Sequence, residues 1–141
     1  MDKRTPEIEA ILMERFARDS IIALATSIDN VPHVRNVDAF YEDGAFYILT
    51  HALSGKMRQI AQNPTVAVAG DWFTGQGTAV HLGAFSQPEN TRIAAKMRQI
   101  FATWIDNGHT DLTDGNTCIL CIRLTSGVLF DHGVRYDIDF T

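Results

Sequence analysis

Three β-patterned segments follow one another early in the chain, and the links between them are only a few residues long. Ile21 to Ala25 is apolar throughout and runs into Thr26 and the polar stretch Ser27-Ile28-Asp29-Asn30. His33 to Tyr41 is the second segment, Glu42-Asp43-Gly44 is turn chemistry, and Ala45 to Thr50 is the third. A parallel pair needs a crossover of about a dozen residues or more, so these segments are expected to form an antiparallel meander. Four or five more strands are expected downstream: Thr65–Gly70, Thr78–Phe85, Thr117–Leu124, Val128–Asp131 and Tyr136–Phe140. Asp71 to Gly77, with Trp72, Phe73 and two glycines, is expected to be a loop.

Three helices are expected, one before the strands and two between them. Thr5-Pro6-Glu7 supplies a capping hydroxyl, a first-turn proline and an acid, and Ile8, Ile11, Leu12 and Phe16 recur at helical spacing. Ser54 is placed to cap a short helix that turns Met57, Ile60 and Ala61 inward and stops at Asn63-Pro64. Pro88 opens the longest helix, with Ile93, Met97, Ile100, Phe101 and Trp104 as its stripe and Asn107-Gly108 as its end. The expected class is mainly β (α+β): one domain over 1–141, an antiparallel sheet or small barrel with helices packed at its ends.

Composition narrows the function classes. Against 12 Lys+Arg stand 17 Asp+Glu, a formal net charge of −5, which argues against nucleic acid as the main partner. No apolar run nears the ~20 residues that cross a bilayer, so no membrane partner is expected. The charged start, Met1 to Glu7, has no apolar segment behind it, and a cytoplasmic protein is expected. Cys118 and Cys121 have Cys-x-x-Cys spacing, but inside a β-patterned run they point to opposite faces and are expected to be buried and structural. The five histidines show no close pairing of the kind a helical metal site uses, so no metal is expected. Nucleophile-elbow, phosphate-loop and Gly-x-Gly-x-x-Gly motifs are absent.

Two features carry chemistry. Arg35 shares a strand face with Val31, Val37 and Ala39, and a cation on an apolar face needs an anionic partner. Thr50-His51-Ala52-Leu53-Ser54-Gly55-Lys56 takes a strand into a helix with Ser and Lys at its start, where free N–H groups and the helix dipole attract phosphate. Two readings stand open: an ion pair between Arg35 and a carboxylate at the sheet rim, or a phosphate monoester site built from Arg35, Ser54 and Lys56.

The runs Ala23-Leu24-Ala25-Thr26-Ser27, Pro32-His33-Val34-Arg35-Asn36-Val37, Gly44 to Thr50, Ser54-Gly55-Lys56 and Gln59 to Val68 resemble, in order and spacing, the pyridoxamine 5′-phosphate oxidase-like, FMN-binding split-barrel superfamily. By length the small general-stress-type flavoproteins are the nearest subgroup. The resemblance implies a six-stranded antiparallel split β-barrel with flanking helices that forms a homodimer, with FMN in a groove between the subunits. It implies that Arg35, Ser54 and Lys56 bind the FMN phosphate and that Asn36, Val37, Leu49 and Thr50 line the rest of the flavin. It also implies an FMN-dependent oxidoreductase acting on a small-molecule substrate with a reduced nicotinamide as electron donor.

Departures argue against pyridoxamine phosphate oxidation itself. Gly55 stands where that enzyme has a basic residue before the lysine, and Thr78 where it has a flavin-contacting glutamine. Its Arg-Pro-x-x-Ser and Arg-Leu-His-x-Arg runs are missing, and Gly133 to Asp137 does not replace the second. The alternatives are a non-catalytic flavin-binding or sensing module, and a split barrel for haem or a deazaflavin. No side chain stands out as a catalytic acid or base; His51 is the nearest candidate and is expected to be a loop residue.

Overall fold

The structure is a computed structural model that describes residues 2–141. In chain order its elements are β1 (Asp2–Lys3), α1 (Pro6–Phe16), β2 (Ser20–Ile28), β3 (Val31–Glu42), β4 (Ala45–His51), α2 (Gly55–Gln62), β5 (Thr65–Gly70), β6 (Phe73–Ala84), α3 (Thr91–Ile100), β7 (Thr117–Asp131) and β8 (Val134–Asp139). A 3-10 turn, Pro88–Asn90, leads into α3.

Local chemistry accounts for the punctuation. Thr5 Oγ1 accepts the Ile8 N–H at 3.2 Å, and Pro6 needs no donor at the first helical position. The β2–β3 turn places Asp29 and Asn30 at φ 50° and 63°, and the β3–β4 turn places Asp43 and Gly44 at 45° and 81°. Both central residues at positive φ give the hairpin turn whose twist matches that of its strands.

The eight strands run in the order β1-β8-β7-β4-β3-β2-β5-β6, and a further β6–β7 ladder closes six of them into a barrel. Every pairing is antiparallel except β1 with β8. β7 makes the closure possible through its length: one edge serves β4 over Thr117–Arg123 and then β8 over Ser126–Asp131, while the other serves β6. The barrel is therefore the six-stranded antiparallel form the resemblance implies, with β8 and β1 added.

One seam of the barrel is open. β3 and β4 pair only from Phe40↔Tyr47 to Glu42↔Ala45. Beyond that point Val31–Ala39 pairs only with β2, and Ile48–His51 only with β7. Two strand edges thus flank a split.

The helices close the ends and one flank. Ile8, Leu12 and Phe16 of α1 and Met57 and Ile60 of α2 join the barrel core around Phe46, Tyr41 and Leu120. A second core sits outside the sheet, where Ile93 and Met97 of α3, with Phe101 and Ile105, cover Phe40 and Ile119. Cys118 and Cys121 are free and buried on β7, as expected. Among the described residues no helix is long and apolar enough to cross a membrane, and no cluster of His, Cys, Asp and Glu is arranged to hold a metal.

Four local expectations are corrected. Only Asp71 and Trp72 form the β5–β6 turn: Phe73 is a buried strand residue, and Gly75 and Gly77 face inward against β7. The segments 117–124 and 128–131 are one bent strand, because the register shift opposite Gln76/Gly77 absorbs Thr125 without ending the ladder. α3 ends at Ile100; beyond it, burial of Phe101 and Ile105 and the Trp104 Nε1–H donated to Asp19 Oδ2 at 3.0 Å replace helical regularity. Ala61 faces outward, since Met57 and Ile60 alone fill the inner face of so short a helix.

Candidate functional site

Arg35 lies opposite Leu24 on β2, and Val37 lies opposite Ile22, so Arg35 points into the α2 end of the barrel. Among the described residues no carboxylate meets it; the ion-pair reading is not what the structure holds. Its Nη1 donates to Leu24 O at 3.2 Å and to Thr26 Oγ1 at 2.9 Å, and its Nη2 donates to Gln59 Oε1 at 2.8 Å. Thr26 Oγ1 in turn donates to Gln59 Oε1 at 2.6 Å. Thr26 and Gln59 therefore sit side by side on the end-on edge of the guanidinium. Its Nε–H and second Nη2 N–H, the side-on fork suited to a bidentate oxyanion, have no protein acceptor.

Lys56 stands in the first turn of α2, and its Nζ donates to Thr50 Oγ1 at 2.9 Å. It too lacks an ion pair. Burial, and then the Arg35 charge beside it, hold the Lys56 ammonium below the ordinary lysine range; burial likewise lowers Arg35. Two half-buried cations thus repel each other with no acid between them.

The start of α2 adds a third feature. Ser54 has the extended backbone of an N-cap, yet its hydroxyl caps nothing, and its Oγ is buried without a hydrogen-bond partner. The first turn carries no acidic residue. A buried orphan hydroxyl, free helix N–H groups and two unpaired cations form a donor set whose chemistry suits an oxyanion.

The flavin-lining residues expected from the sequence flank the split. Asn36 is exposed and Val37 half-buried on the stretch of β3 that lacks a second partner strand. Thr50 reaches Lys56, whereas Leu49 packs on the other face toward the second core. A cavity of about 430 Å³ lies on the β4 side alone, with Leu49, Thr50, His51 and Trp104 among its lining. His51 is the last residue of β4 rather than a loop residue; its Nδ1 accepts the Leu53 N–H at 3.3 Å, and its Nε2 lies 3.6 Å from Asp114 Oδ2. Trp72 lies away from this site, at the α1 end, stacked edge-on against Phe130.

Thr26 and Gln59 lie in the runs that carry the resemblance but are not among the site residues it implies. The available signal was a polar residue, Thr26, ending the inward series Ile22, Leu24, and a glutamine one helical turn after Lys56.

No family model matches the chain, and no curated protein does. Solved structures do. A candidate pyridoxamine 5′-phosphate oxidase from Listeria innocua aligns with TM-score 0.63 and 16% identity over 86% of this chain and 93% of its own. An FAD-binding protein from Mesorhizobium loti aligns with TM-score 0.66 and 14% identity over 84% and 90%. A haem-binding protein from Mycobacterium smegmatis aligns with TM-score 0.68 and 14% identity over 88% of this chain and 54% of its own.

Proposed function

We propose, from the premise that this chain has the split-barrel fold of the pyridoxamine 5′-phosphate oxidase-like proteins, that it binds FMN through the phosphate. The observation that carries this reading is the pair Arg35 and Lys56, two inward cations without a carboxylate, beside the unpartnered Ser54 Oγ. Arg35 would present its free fork, Lys56 its ammonium and Ser54 its hydroxyl to the phosphate oxygens. The unpaired edges of β3 and β4 around Asn36, Val37, Leu49 and Thr50 supply backbone groups for the remainder of the cofactor.

When bound, the flavin supplies hydride and electron chemistry, and the protein supplies position and electrostatics. The activity we assign is an FMN-dependent oxidoreduction of a small organic molecule with a reduced nicotinamide as donor. Pyridoxamine phosphate is not the substrate we assign, given Gly55, Thr78 and the missing substrate-phosphate runs. We assign a homodimer, supported by the exposed Val34 and Ile21 on the uncovered face of β2, β3 and β5.

Haem is the reading to set against this one. An iron porphyrin needs an axial ligand; His51 and His109 line the cavity beside β4, and His51 Nδ1 already accepts the Leu53 N–H. What weighs for the flavin is the phosphate-suited set of Arg35, Lys56 and Ser54.

The test is a visible spectrum of the purified protein with and without added FMN, followed by titration of Arg35→Ala and Lys56→Ala. Each substitution removes a charge-assisted contact worth about 1.5–3 kcal/mol, so each is expected to weaken FMN by about tenfold or more. Unchanged affinity in both variants overturns the phosphate assignment. An intense single Soret-type band in place of twin flavin bands transfers the site to haem.

A further inference from the structure

An arginine inside a barrel is usually held by a carboxylate, which fixes its geometry and cancels its charge. Here the geometry is fixed without the cancellation. Three oxygens do the work, and all are neutral: the Leu24 carbonyl, the Thr26 hydroxyl and the Gln59 side-chain carbonyl. Thr26 is buried, 2% exposed, and its single hydroxyl hydrogen is committed to Gln59. Because the arginine can only donate, the Gln59 oxygen rather than its nitrogen must face it. The brace is therefore directional: Arg35 donates to Thr26, and both donate to Gln59.

A glutamate fits the same place with almost no change in shape. It would accept both hydrogen bonds and bind Arg35 more strongly. It would also remove one of the two positive charges that Arg35 and Lys56 bring to this end of the barrel. Resting on the FMN reading above, we infer that Gln59, with Thr26, is a positioning residue that holds Arg35 fixed but uncompensated, so that the site selects a doubly charged phosphate monoester over the same molecule without its phosphate. The ligand supplies the countercharge that the protein omits. Discrimination between FMN and riboflavin is then set in part by a residue that acts through Arg35.

The experiment compares FMN and riboflavin affinities, by flavin fluorescence quenching, in the wild-type chain, Gln59→Glu and Thr26→Val. Wild type is expected to prefer FMN by about a hundredfold or more, the sum of two charge-assisted contacts. Gln59→Glu is expected to cut FMN affinity by about tenfold or more while riboflavin affinity holds, because only the phosphate feels the added charge. Thr26→Val keeps the charge balance and loosens the brace, so its FMN preference is expected to fall by a smaller factor. Riboflavin binding reports folding in each variant, where a merely structural role for Gln59 would weaken both ligands together.

A Gln59→Glu protein that keeps the wild-type FMN-to-riboflavin ratio overturns the inference and leaves the FMN reading standing. Wild-type protein that binds neither flavin overturns the FMN reading itself, and this inference with it.

Discussion

Ser54 separates what a residue does for the fold from what it does for a site. At an N-cap, a serine normally accepts an N–H of its helix, and losing that bond costs about 1 kcal/mol. The Ser54 hydroxyl makes no such bond and is buried without a partner, so it stabilises nothing in the free protein. Ser54→Ala is thus expected to leave the melting temperature unchanged or slightly raised while weakening FMN by about 0.5–1.5 kcal/mol, roughly two- to tenfold. Calorimetry on the free protein beside a flavin titration checks both halves; a clear drop in melting temperature would make Ser54 an ordinary cap. At this scale the sequence was legible wherever chemistry was local. Arg35 stood out as a cation on an apolar face, and Ser54 and Lys56 as donors at a helix start. Gln59 did not, because its role depends on a strand far away in the chain, and nothing about a glutamine in a polar helix marks the partner it will find.

At the scale of elements, long-range packing decides where local signals mislead. By sequence Gly75 and Gly77 are loop residues; in the fold they are inward strand positions where β6 pairs with β7 beside the bulge at Thr125. A Cβ on Gly77 would stand 2.6 Å from the Arg123 carbonyl, a backbone atom that cannot swing aside. Gly77→Ala is therefore expected to destabilise the barrel by about 1–3 kcal/mol, read by urea unfolding. α3 is tied to the sheet differently. Arg92 Nη1 lies 2.7 Å from Glu42 Oε1, and Lys96 bonds the other carboxylate oxygen. Burial pushes the Glu42 carboxyl up, but Lys96 and Arg92 more than offset it and hold the group below its ordinary value. A carboxyl whose folded pKa lies below its unfolded one adds stability above the unfolded value, about 4.3, and loses it as pH falls through the folded value. Glu42→Gln is accordingly expected to flatten the fall in melting temperature below about pH 4.3. An unchanged acid slope would remove Glu42 from the acid response. The three strands of the meander and the first two helices were legible because turn and cap chemistry bounds them within a few residues. The full lengths of β6 and β7 were not, because their glycines carry no side-chain pattern and only the partner strand explains them.

For the whole molecule, what the helices leave bare matters as much as what they cover. α1 and α2 close the barrel ends and α3 covers the flank of β4 and β7, but the outer face of β3, β2 and β5 has no layer on it. Register puts Val34 opposite Ala25, Asn36 opposite Ala23 and Asp38 opposite Ile21, with Ala67 and Ala69 next to Ala25 and Ala23 on the far side. Val34 is 71% exposed and Ile21 69%, on a surface that alanines flatten and that also carries Asn36 and Asp38. Small side chains let a second sheet or helix layer approach closely, and exposed apolar residues on such a face suit an interface. The same strand, β3, carries Arg35 on its inner face and Val34 and Asn36 on its outer one, so a partner docked here lies one strand thickness from the proposed phosphate site. A homodimer of isologous contact follows as the expected state, with Val34 and Ile21 buried in it. Light scattering on the purified protein is expected to give twice the chain mass. Val34→Glu and Ile21→Glu would bury an unpaired charge, so each is expected to raise the dimer dissociation constant by about a hundredfold or more without unfolding the barrel. FMN bound beside the interface is then expected to draw these variants back toward the dimer, since a ligand that favours the assembled state stabilises it by mass action. A wild-type monomer at micromolar concentration would remove the interface, and variants that stay dimeric would move it to another face.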